Sequence, residues 1–185
     1  MSNEVKLRFE IPVIVLRILL TTHFLGLIGW FWDCSEHIKM LQFGLGTTPA
    51  HLLMDVSALL TVFVFSTQLN NSWWKYILPL VGLALIIFIP SIGGIILLAI
   101  PIKFTWIQLQ RNHHLWTSLL SLGISTVLIG IVVDWFWHQS HPEVNEENIN
   151  VLLLVGHQIQ LLGWFLGLIV VLMILSDQVQ TYKRS

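Results

Sequence analysis

Residues 75–106 read KYILPLVGLALIIFIPSIGGIILLAIPIKFTW, and the number of times this stretch crosses a bilayer decides the fold. A spanning helix needs roughly 20 apolar residues. The stretch is too long for one ordinary span and short for two. Its middle, Ile89-Pro90-Ser91-Ile92-Gly93-Gly94, joins a proline, which removes a helix hydrogen bond, to paired glycines that permit a tight reversal. A hairpin of two short helices, 75–90 and 92–106, fits this pattern. One long kinked helix fits it too.

Working outward, four flanking runs are apolar over a full span: 12–32, 51–69, 115–137 and 151–176. Charge then chooses between five crossings and six. With a hairpin, Lys6, Arg8, Arg17, Lys75, Lys103, Arg111, Lys183 and Arg184 all fall at one face, and only Lys39 falls opposite. Asp33, Glu36, Asp134, Glu143, Glu146 and Glu147 fall on that opposite face. Five crossings would split the basic residues almost evenly. The positive-inside rule therefore predicts six spans with both termini cytoplasmic. The expected fold is an all-α polytopic transmembrane helix bundle, with residues 1–185 as a single membrane domain. Integral insertion in the cell (plasma) membrane is the expected location.

Composition agrees. Of 185 residues, 55% are hydrophobic and 10% charged, against about 25% charged in soluble domains. Mean hydropathy is +0.78. A soluble fold of this length has no way to hide so much apolar surface, so the lipid bilayer is the first partner. A net charge of −1 gives no basic surface for nucleic acid, and none is expected as a partner. One cysteine, Cys34, excludes an internal disulfide framework and a multi-cysteine metal cluster. The apolar run near the N-terminus has no small-residue cleavage pattern and reads as a span rather than a signal. Trp30, Trp32, Trp73, Trp74, Trp106, Trp116, Trp135 and Trp137 lie near span ends, as an interfacial aromatic belt does.

Ionisable residues at membrane depth are costly and mark functional sites. Here they follow a pattern. The first span ends Trp30-Phe31-Trp32-Asp33-Cys34-Ser35-Glu36-His37, and the fifth ends Val133-Asp134-Trp135-Phe136-Trp137-His138. Each contains Asp-x-x-x-His, a spacing that sets both side chains on one helical face. Each is followed by a histidine on the next helix. Thr47-Thr48-Pro49-Ala50-His51 is a helix start, with threonine as cap and proline in the first turn, and Leu154-Val155-Gly156-His157 opens the sixth span. The aspartates are 101 positions apart and the later histidines 106, which reads as an internal two-helix repeat. In a six-span topology both units point the same way, and their polar ends meet on the outer side.

Imidazole with carboxylate suits copper, zinc, iron or manganese. One aspartate and two histidines leave positions open for water or substrate. The metal-ligand candidates are Asp33, His37 and His51 in one unit and Asp134, His138 and His157 in the other, as two sets or one shared site. Asp55, one turn beyond His51, would orient a ligand imidazole. Gln160 would do the same for His157, and His141 is an extra donor. The plainer readings are intrahelical hydrogen bonds, solvated rim pairs and, for Gln160, a bond between helices. His23, mid-span, is either a haem ligand or a hydrogen-bonded packing residue.

Asp33-x-x-x-His37 followed by Thr48-Pro49-Ala50-His51 resembles the metal-binding segment of the C subunit of membrane copper monooxygenases, the particulate methane and ammonia enzymes. The resemblance covers about 25 residues. It implies a metal held within the membrane by Asp33, His37 and His51, copper ahead of zinc or iron, and other membrane subunits as partners. The second unit is similar to repeats in uncharacterised multi-pass proteins with two such segments, although it lacks the Thr-Pro before its histidine. Two other functions compete. A haem-binding electron-transfer subunit would use His23, His51 and His157. A small transporter or membrane-complex assembly factor would use the Pro90–Gly94 interruption as a broken helix.

Overall fold

The computed structural model describes residues 12–38, 48–67, 74–88, 90–110, 115–141 and 154–184; several side chains near helix ends, those of His37 and His138 included, lie outside the description. Six helices follow in order: α1 (Val13–Ile38), α2 (Pro49–Thr67), α3 (Trp74–Phe88), α4 (Pro90–Gln110), α5 (Leu115–Ser140) and α6 (Val155–Arg184). No strand occurs among the described residues. Helices α1, α2, α5 and α6 are each long and apolar enough to cross a membrane. At 1.5 Å per residue α3 is about 22 Å long and α4 about 31 Å.

The decisive stretch is a hairpin. Helix α3 ends at Phe88 and α4 begins at Pro90, and the two fold back so that Gly82 meets Leu97 and faces the Gly93 carbonyl. Proline opens α4 because the first helical position has no intrahelical use for its missing N–H. The glycine pair does not make the reversal. Gly93 and Gly94 both lie inside α4, and a Cβ on Gly94 would meet the Val132 side chain of α5 at 2.5 Å. What looked like turn glycines are contact surfaces, which a rule based on conformational freedom alone does not distinguish.

Helix α5 packs along α6 on small residues, as membrane helices do where lipid supplies no hydrophobic drive between them. A Cβ at Gly163 would stand 2.6 Å from the Val127 nitrogen and 2.7 Å from the Gly123 carbonyl. The interior is continuous through Leu19, Val62, Leu97, Ile124, Trp164 and Val171, all buried. Short polar bonds pin neighbours: Thr61 Oγ1 donates to Thr22 Oγ1 at 2.8 Å between α2 and α1, and Ser121 Oγ donates to the Pro101 carbonyl at 2.6 Å between α5 and α4. Large apolar side chains such as Phe24, Leu52, Ile129 and Leu162 are exposed, a surface for lipid.

One aromatic departs from the belt. Trp30 is buried, and its indole N–H donates to the His157 carbonyl at 2.9 Å. It ties α1 to the first turn of α6, whereas Trp32 and Trp106 are exposed.

Candidate metal centre

Both aspartates stand near the ends of their helices, α1 and α5, and both histidines near the starts of α2 and α6. The fold brings these four termini together, which requires α1 and α5 to run in the same direction. A single crossing in place of the α3–α4 hairpin would separate the aspartates by the thickness of the bundle.

Asp33 is the centre. Its side chain is fully buried, with Oδ2 3.0 Å from His157 Nε2 and Oδ1 3.2 Å from His51 Nδ1. His157 is buried as well, and its other nitrogen, Nδ1, lies 2.9 Å from Asp134 Oδ1. His157 is thus held between two carboxylates from different helices. The His51 and His157 rings meet edge to face, centroids 6.4 Å apart. His51 is the more open imidazole, its side chain 27% exposed.

Local sequence explains these placements. Thr48 caps α2: its Oγ1 accepts the His51 backbone N–H at 3.1 Å, which satisfies one of the helix's initial donors. The same oxygen is 2.7 Å from His51 Nδ1. Asp134 reaches α6 because Gly156 has no side chain there; a Cβ would sit 2.6 Å from that of Asp134. Gly29 does the same between α1 and α2, where a Cβ would sit 2.8 Å from Met54 Cγ and 3.0 Å from the Ala50 carbonyl.

Asp33, His51 and His157 offer three donor atoms within 4.8 Å of one another and form a group that could hold a metal ion. Donors about 2.1 Å from a tetrahedral ion are about 3.4 Å apart, close to the 3.0 and 3.2 Å separations from Asp33. The donor set of one carboxylate and two imidazoles suits a borderline transition metal. Asp134 Oδ1 stands 2.9 Å from the far nitrogen of His157, the place from which a carboxylate orients a ligand histidine.

The remaining candidates separate. His37 and His138 lie on α1 and α5, but their side chains fall outside the described residues. Asp55 is half-buried one turn beyond His51 on α2, and Gln160 is buried against Gly130 of α5. His141 stands away from the cluster, exposed, its ring stacked on Trp137 with centroids 4.7 Å apart and its Nδ1 bonded to Ser140. His23 is fully buried; its Nδ1–H donates to the Leu19 carbonyl at 2.7 Å, and its ring packs edge-on to Trp164 and directly against Gly167. No gap for a porphyrin opens at that ring.

Thr48 and Trp30 were not foreseen as parts of the centre. Thr48 carried a signal only as a helix cap, and Trp30 only as one of many tryptophans near span ends. No family profile, curated protein or solved structure matches the chain.

Proposed function

We propose that this chain is a membrane metal-binding protein whose ion is held by Asp33, His51 and His157, with Asp134 orienting His157. The observation that carries this reading is the group of three donor atoms, from three different helices, within 4.8 Å. In this reading His37 and His138, one turn beyond the two aspartates on α1 and α5, complete the donor set. The pairs α1–α2 and α5–α6 then act as an internal repeat, each supplying an aspartate and a following histidine. The resemblance to copper monooxygenase C subunits favours copper over zinc or iron and a place among other membrane subunits. The distribution of basic residues supports cytoplasmic termini in a cell membrane, with the centre on the outer side. Such an ion supplies activation of water or oxygen; the protein's own residues hold it and leave the His51 side open.

The test is metal analysis of purified protein loaded separately with Cu(II) and Zn(II), comparing wild type with His51→Ala and His157→Ala. About one ion per chain in the wild type and a loss in both variants is the expected result. Equal metal in all three would end this reading.

A second reading rests on a different observation: both ring nitrogens of His157 face a carboxylate, at 3.0 and 2.9 Å. Two carboxylates within ion-pair distance of one buried imidazole suit a buried proton-holding site without metal. Retained Asp33–His157–Asp134 coupling in a protein that takes up no ion would favour it. The haem reading lacks histidines facing across a gap among the described residues. The transporter reading loses its broken helix, because Pro90 begins α4 rather than interrupting it.

A further inference from the structure

We propose that Thr48 is a latch on the metal site, competing with the ion for the Nδ1 lone pair of His51. This inference rests on the metal-binding reading above.

The two imidazoles are not held alike. His157 is buried, its Nδ1 2.9 Å from Asp134 and its Nε2 3.0 Å from Asp33. On His51 the nitrogen facing Asp33 is Nδ1 itself, at 3.2 Å. That atom is therefore the one placed to join an ion shared with the carboxylate. Its hydrogen bond, however, is to Thr48 at 2.7 Å. Thr48 Oγ1 accepts the His51 backbone N–H, and in the tautomer that carries its hydrogen on Nε2, His51 Nδ1 accepts the Thr48 hydroxyl hydrogen. Cap and latch are one hydroxyl, and the residue is buried. An ion must displace that O–H from Nδ1. The backbone half of the cap survives the exchange, since the oxygen keeps its bond to the amide. His51, the more exposed of the two imidazoles, with Nδ1 between the Thr48 hydroxyl and Asp33, is then the arm that opens to load and release the ion, while Asp33 and His157 stay fixed.

The sign of one substitution separates a latch from a structural cap. Removing a cap weakens a helix, and a merely structural Thr48 would bind metal less well once changed. Removing a latch frees the ligand atom, so Thr48→Val is expected to bind Zn(II) and Cu(II) about threefold to tenfold more tightly, the worth of one hydrogen bond. Affinity is read by competition with a chelator on the full chain in detergent. Thr48→Ser, which keeps the hydroxyl, is expected to match wild type. In a His51→Ala background the Thr48→Val gain is expected to vanish. Unchanged or weaker binding by Thr48→Val, with wild type binding normally, overturns the latch and leaves the metal centre standing. A gain that persists without His51 overturns it too. A wild-type chain that takes up neither ion overturns the metal centre, and the latch with it.

Discussion

The end of α1 and the end of α5 carry the same Asp-x-x-x-His pattern and do different things with it. Among the described side chains, Asp33 is fully enclosed and meets the imidazoles of His51 and His157, while Asp134, 12% exposed, meets that of His157. The helix after Asp33 begins with a capped Thr-Pro turn that sets His51 beside the carboxylate. The helix after Asp134 begins with Gly156 pressed on Asp134, and His157 meets Asp134 with one ring nitrogen and reaches Asp33 with the other. Matching motifs therefore yield an unequal pair, one aspartate at the centre and the other supporting an imidazole. The cause lies in the starts of α2 and α6 rather than in the motifs themselves.

The largest break in this comparison is expected at Asp33. Asp33→Asn keeps the shape and removes the charge that both imidazoles face. Loss of a buried charge partner costs about 3–5 kcal/mol, so the variant is expected to lose metal and to melt at a lower temperature in detergent. Thermal melting with and without Zn(II) reads both effects. A variant that still gains stability from Zn(II) as the wild type does would remove Asp33 from the centre.

Asp134→Asn comes next. If Asp134 orients His157 through Nδ1, its loss weakens metal affinity about 10- to 100-fold, as for other carboxylates behind a ligand histidine, while one ion per chain still binds at saturation. Reduced stoichiometry instead of reduced affinity would make Asp134 a direct ligand and restore equality between the two units.

Much of this was legible in the sequence, for reasons particular residues make plain. Membrane insertion followed from composition. The hairpin followed from where Lys75, Lys103 and Arg111 had to lie, not from the glycine pair, of which Gly94 proved to be a packing contact at Val132. Asp33, His51, Asp134 and His157 were nominated because ionisable groups at membrane depth are rare. Their pairing was not legible: two separate sets and one shared site both fitted the sequence, whereas the bond of His157 to Asp33 spans 124 positions. Helix-to-helix rotation sets such a contact, and Gly156 and Gly29 set the rotation through space they leave empty. Trp30 was misread for a similar reason, since a tryptophan near a span end is equally placed to face lipid or a neighbouring helix.

The smallest effect is expected at His141, which the sequence offered as an extra donor beyond His138. Its ring lies nearly parallel to that of Trp137, at 16°, and its Nδ1 is engaged by Ser140 and the Trp137 carbonyl. Those contacts hold it at the end of α5, outside the group of Asp33, His51 and His157, and it is exposed there. His141→Ala is therefore expected to leave metal content unchanged and to alter stability by no more than about 0.5 kcal/mol, as for surface positions generally. The measurement also bears on the asymmetry between units. The imidazole nearest Asp33 is that of His157 from α6, at 3.0 Å, and His141 would join the donors at the end of α5 only by swinging off Trp137. A clear fall in metal affinity on His141→Ala would mean that it does, and the α5 unit would then hold an ion in its own right.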